Sequence, residues 1–180
     1  MLRASDALGA DSSTYLEPEH PVQRLIREVV AEFTHEPELH LAFDGCGAPM
    51  PATTLTGLAR GTARLTRGDD RASQRVTDAV FAEPWAIDGP GRENTVVIER
   101  LGVLAKLGTE GLVVMGTTAG VAVAVKVLDG TMRATTPVAL ALLASVGAID
   151  ADPARDVIDD TSERVRAGDR EIGRLRISEI

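Results

Sequence analysis

The chain has 180 residues, 44% hydrophobic and 26% charged, which suits one soluble domain able to bury a core. A net charge of −8 and a pI near 4.9 argue against nucleic acid and anionic membranes as partners, because both call for basic surface. No apolar run approaches the ~18 residues of a membrane span, the first residues lack the apolar centre of a signal peptide, and a lone cysteine forms no internal disulfide, so a cytoplasmic location is expected.

Residues 1–14 are polar and short-sidechained and read as a loop or the remnant of a helix. Pro21 can open a helix at its first turn, and Leu25, Ile26, Val29, Val30 and Phe33 then follow the spacing of an amphipathic helix that ends at Thr34-His35-Glu36-Pro37. His20 reads as a cap or packing residue, His35 and His40 as solvated. Leu39–Phe43 reads as a strand. It leads into Asp44-Gly45-Cys46-Gly47, where the glycines free the backbone and Pro49 is expected to stop further pairing.

Thr53 or Thr54 caps the next helix, with Leu55, Leu58, Ala59, Thr62 and Leu65 inward. Gly68-Asp69-Asp70 breaks it, and Ser73–Phe81 reads as a shorter helix. Pro84–Gly91, with the lone Trp85, reads as a loop. Asn94 is expected to cap Thr95–Leu101, whose β-branched run leaves helix and strand both open. Gly111–Met115 and Val121–Leu128 form the strongest β signal, a hairpin through Gly116-Thr117-Thr118-Ala119-Gly120. Thr135-Thr136-Pro137 starts a helix through Val138–Val146, apolar nearly all round and expected to be buried. Residues 150–167 are acidic and weakly periodic, and Glu171–Ile177 alternates like an edge strand. This order predicts an α+β (mixed α/β) fold, helices packed on an antiparallel-rich sheet, with residues 1–180 as a single domain.

Lysine is nearly absent. Lys106 and Lys126 stand against seventeen arginines, and both fall in the apolar β region. The apolar flanks of Lys106 suggest a buried or half-buried amine suited to act as a base; the competing reading is a strand-end lysine reaching for water. Lys126 alternates with valines and reads as a solvated edge residue. Cys46, taken alone, reads as a small buried hydrophobe, and Asp44 as a turn-stabilising Asx residue.

Five blocks change the weight of these residues: Tyr15-Leu16-Glu17-Pro18-Glu19-His20-Pro21-Val22-Gln23, Phe43-Asp44-Gly45-Cys46-Gly47-Ala48-Pro49, Leu55-Thr56-Gly57-Leu58-Ala59-Arg60, Leu104-Ala105-Lys106-Leu107-Gly108-Thr109-Glu110-Gly111 and Val123-Ala124-Val125-Lys126-Val127-Leu128-Asp129-Gly130. In order and rough spacing they resemble the bacterial asparaginase II family, the thermolabile type. The resemblance implies a serine β-lactamase-like architecture and hydrolysis of L-asparagine to L-aspartate and ammonia. It implies that Lys106 is the general base partnering a nucleophilic serine, and that Asp44 and, more weakly, Glu110 meet the substrate. Cys46 matches a cysteine that in the family can hold zinc together with a cysteine and a lysine of a Cys-Ser-Gly-Lys-His block.

Neither that block nor the family's Ser-x-x-Lys element occurs in this sequence. The chain is therefore expected to be a truncated, C-terminal half of such a protein, inactive as an isolated hydrolase. The alternative is a non-catalytic degenerate or split-enzyme subunit acting in assembly or binding. Zinc would need donors from a missing half or a partner chain. An N-terminal half or a homo-oligomer is the expected protein partner, docking on faces at the Val138–Val146 helix and the Leu39–Phe43 strand.

Overall fold

A proline in the first turn and a histidine before it start the longest helix. In the computed structural model, which describes residues 1–177, α2 spans Pro21–Thr34. Nδ1 of His20 accepts the amide hydrogen of Val22 at 3.1 Å, so Nε2 carries the proton and donates to the Asp11 carbonyl at 3.1 Å. The cap reading of His20 holds, and His35 and His40 are exposed. Before this helix the chain forms a six-residue helix, α1 (Leu2–Ala7), and a 3-10 turn at Ser12–Thr14 where a loop or helix remnant was expected. Gln23 is 1% exposed and donates to the Tyr15 carbonyl at 2.7 Å, closing the segment onto the helix.

Met1–Gly61 make one compact unit. Its only strands among the described residues are β1 (Leu41–Phe43) and β2 (Pro49–Pro51), an antiparallel hairpin with Phe43 opposite Pro49. Pro49 thus opens the second strand instead of stopping the pairing. Proline is tolerated at the first residue of a strand because its missing N–H costs no central ladder bond there. Helix α3 (Leu55–Arg67) follows. Thr54 is its cap: the hydroxyl accepts the Gly57 amide hydrogen at 2.9 Å, and Glu36 in turn accepts from the amide of Thr54 at 2.9 Å and from its hydroxyl. The Thr54 hydroxyl and amide hold the Glu36 carboxyl below its usual range.

From Thr62 onward the chain forms the second unit. Asp70, expected only to break a helix, caps α4 (Arg71–Ala82) by accepting from Ala72 and Ser73 amides at 2.9 and 3.0 Å. The Trp85 loop contains a four-residue helix, α5 (Trp85–Asp88), and α6 spans Glu93–Leu101. Strands β3 (Leu104–Gly108), β4 (Leu112–Gly116) and β5 (Ala122–Lys126) form an antiparallel meander with Lys106 opposite Val114 and Val114 opposite Ala124. Side chains alternate across the pleat, so Ala105, Val113 and Met115 face the core with Val97 and Ile98 of α6 and the buried residues of the last two helices.

Those helices are α7 (Thr135–Ser145) and α8 (Ala151–Thr161). Ala139, Leu140 and Leu143 of α7 are fully buried, so this helix is core and not the open docking face that the truncation expectation offered as one candidate. The apolar face of α8 is carried by little more than Ala154, Val157 and Ile158 among many aspartates, which is why its period is faint in the sequence. The expected C-terminal strand is one arm of a hairpin, β6 (Arg164–Ala167) with β7 (Arg170–Arg174). The architecture is α+β, with helices packed against antiparallel sheet.

Candidate functional site

Asp44 and Cys46 occupy the turn of the β1–β2 hairpin. The Asp44 carboxylate accepts the Gly45 amide hydrogen at 2.7 Å, its carbonyl accepts from Gly47 at 2.8 Å, and its own amide donates to Ala48. Gly47 has φ +81°, a left-handed conformation that closes the turn. With the backbone pinned in this way, the Cys46 thiol reaches the second Asp44 oxygen at 3.5 Å. Both side chains are exposed, so Cys46 is not the buried hydrophobe that a lone cysteine suggests. Asp44 acts as the Asx residue of its turn and still presents a carboxylate oxygen and a thiol together to solvent. The turn belongs to a hairpin, not to the strand-to-helix step of an open parallel sheet.

Two donors are half of a tetrahedral zinc set. No group of three or more histidine, cysteine or acidic side chains suited to a metal occurs among the described residues. Asp44 and Cys46 alone therefore do not fit zinc.

Lys106 is on β3, an edge strand of the meander, on the face turned away from Ala105 and Leu107. It is exposed, so the burial its apolar neighbours suggested is not found: those neighbours alternate to the opposite face. Its ammonium donates to the Leu107 carbonyl. Lys126 is on β5, the other edge strand, exposed and on the same face, and donates to the Glu110 carbonyl. The only two lysines of the chain thus share one sheet face, and neither forms an ion pair with any described residue.

Glu110 is exposed in the β3–β4 turn with φ 63°, unusual for a residue other than glycine. Gly111 beside it has φ +75°, and a Cβ there would lie 2.9 Å from the Thr131 carbonyl oxygen. This close approach seats the turn on the loop after β5: Val127 donates to the Gly111 carbonyl at 2.7 Å. In that loop the Asp129 carboxyl is held below its usual range by the Thr131 amide. The fourth and fifth sequence blocks therefore meet. The first and second also meet, with Leu16 beside Gly47.

One positioning residue escaped the sequence reading. Asn94, expected as a helix cap, is buried in the first turn of α6, and its Oδ1 accepts the Leu107 amide hydrogen at 3.0 Å. The sequence signal was only a polar residue ahead of an apolar run, which a cap and a cross-element clamp share.

A family model described as L-asparaginase II matches residues 1–177 of this chain. A search of curated proteins found no match.

Proposed function

Because the chain belongs to the L-asparaginase II family, we propose that it takes part in hydrolysis of L-asparagine to L-aspartate and ammonia, supplying substrate contacts and a base but not the nucleophile. In such acyl transfer a nucleophile attacks the side-chain amide carbon, the C–N bond breaks, ammonia leaves with a proton, and water releases the acid. Lys106 would be the base that takes the nucleophile's proton and passes it to the leaving nitrogen. Asp44 would meet the substrate's ammonium. The sequence offers no Ser-x-x-Lys pair to accept the acyl group.

The observation that carries this reading is the Asp44–Cys46 contact: polar groups held together by an ordered turn and given to solvent, in a block that matches the family. Backbone amide shifts at Asp44–Gly47 on titration with L-asparagine are the test of substrate contact, with at least a tenfold loss in Asp44→Asn. Ammonia release from L-asparagine is expected at background. Release proportional to protein and abolished in Lys106→Ala would show that the chain contains its own nucleophile. No shift at residues 44–47 would remove the substrate role.

The second reading is a non-catalytic assembly subunit. It is favoured by the apolar side chains beside the same turn: Leu39, Phe43 and Met50 are 65, 61 and 48% exposed.

A further inference from the structure

The β3–β4–β5 meander has two outer edges, and the chain treats them differently. On β3 the outward amide of Leu107 is taken by the buried Oδ1 of Asn94 at 3.0 Å. No described residue does the same for β5.

The direction of the β5 backbone follows from its pairing. Thr117 donates to the Val121 carbonyl at 2.9 Å at one end of the β4–β5 ladder, and Val127 donates to the Gly111 carbonyl at 2.7 Å at the other. Bonded and non-bonded pairs alternate along an antiparallel ladder, so Met115–Val123 and Val113–Val125 are the bonded pairs between those ends. Ala122, Ala124 and Lys126 therefore turn their N–H and C=O groups away from β4, and no described residue bonds these backbone groups.

The core is open along the same edge. Val123 and Val125 pack against it but are only half-buried, whereas Met115 and Val113 opposite them on β4 are fully buried. The strand, Ala-Val-Ala-Val-Lys, has no proline and its pairing no bulge, two of the devices that keep an edge from adding a strand. Its one charge is the exposed Lys126, which forms no ion pair with any described residue. An edge lysine repels cationic strands and favours a carboxylate. A second copy's β5 would bring another lysine and no acid.

We propose that β5 accepts an extended segment of a partner chain as a fourth strand of the meander. Main-chain hydrogen bonds to Ala122, Ala124 and Lys126 hold the segment, aliphatic side chains cover the outer flank of Val123 and Val125, and a carboxylate sits beside Lys126. The surface uses none of the residues of the asparagine reading, Asp44 and Lys106, and none of the exposed side chains of the assembly reading.

The probe is the blocked peptide acetyl-Glu-Val-Thr-Val-Thr-Glu-amide, titrated into the full chain by calorimetry with amide shifts mapped by NMR. Saturable heat and shifts at Val121–Val127 are expected. The same peptide with lysine in place of both glutamates should bind at least tenfold more weakly. Of two N-methylated forms, one at the valines and one at the threonines, the form that blocks the edge facing β5 should lose binding; neither comparison needs a variant. Ala124→Pro removes one outward N–H and no ladder bond, a change that edge strands tolerate, and should weaken the peptide at least tenfold with the circular dichroism spectrum unchanged. Lys126→Glu should reverse the preference between the glutamate and lysine peptides. No saturable shift at Val121–Val127, equal binding of the lysine peptide, or full binding by both N-methylated forms would overturn the proposal. So would a change in the sedimentation of the chain alone in Ala124→Pro, which would assign the edge to a second copy.

Discussion

Asn94 Oδ1 holds the backbone amide of Leu107 at 3.0 Å, fastening the first turn of α6 to an edge strand one residue past Lys106. Edge-strand amides on the unpaired side ordinarily turn to water. Here the amide is taken by a buried side chain, so the bond both satisfies a donor and fixes the strand that presents the lysine.

Asn94→Ala removes the acceptor and leaves the Leu107 amide without its partner. A loss of about 1–3 kcal/mol in unfolding free energy is expected. Denaturant unfolding monitored by circular dichroism reads it. An unchanged midpoint would mean that water replaces the side chain at no cost.

Gly111→Ala is expected to be worse than a usual surface change. The left-handed backbone alone costs an L-residue about 1–2 kcal/mol, and the added Cβ meets the Thr131 carbonyl at 2.9 Å. The variant should unfold at lower denaturant, with the amide resonances of Val127–Thr131 displaced. Glu110→Gly, which removes a side chain from a φ of 63°, should not destabilise and serves as the matched control.

Acid should weaken the fold through a few specific carboxylates. Hydrogen bonds from Ser73 hold the Asp70 carboxyl below its usual range, and those from Thr54 do the same for Glu36. A folded value below the unfolded one gives stability that is fully present above the unfolded value and is lost as pH falls through the folded one. Stability should therefore be flat above about pH 5 and decline below pH 4. Asp70→Asn should flatten part of that decline, measured as thermal midpoint against pH. A midpoint that rises on acidification would contradict the assignment.

The elements legible in the sequence were those whose signal is local. The 3.6-residue period of α2, the threonine ahead of α3 and the apolar runs of β4 and β5 all depend on neighbours in the chain. What was missed depends on partners far away in sequence. Asn94 carries a cap signal, and its use was decided by Leu107 thirteen residues on. Lys106 looked buried because its sequence neighbours are apolar, but alternation turns those neighbours inward and the lysine out. The Asp44–Cys46 turn was visible as glycines and a thiol, while the strand beyond it was hidden by Pro49, because a proline reads as a stop unless its place at a strand start is known.

Zinc should not be retained. Asp44 and Cys46 supply two donors and no third acidic, histidine or cysteine group gathers with them among the described residues. Elemental analysis after dialysis at neutral pH should find far less than one zinc per chain, and Cys46→Ser should not change it. One tightly held zinc per chain, lost in that variant, would require further donors such as a partner chain's Cys46 turn.

Self-association is the expectation on which the assembly reading depends. A two-stranded hairpin is marginal in water unless it packs against something. The β1–β2 hairpin has short strands and exposes Phe43 on one face and Met50 on the other, with Leu39 just before it. Contiguous apolar surface beyond a few hundred Å² commonly marks an interface. Sedimentation velocity should therefore show species above the 19.0 kDa monomer as concentration rises. Leu39→Ser with Phe43→Ser should restore the monomer without lowering helix content, since neither side chain is buried. A wild-type chain that stays monomeric across the accessible range would sink the assembly reading and leave Leu39 and Phe43 as ordinary exposed side chains.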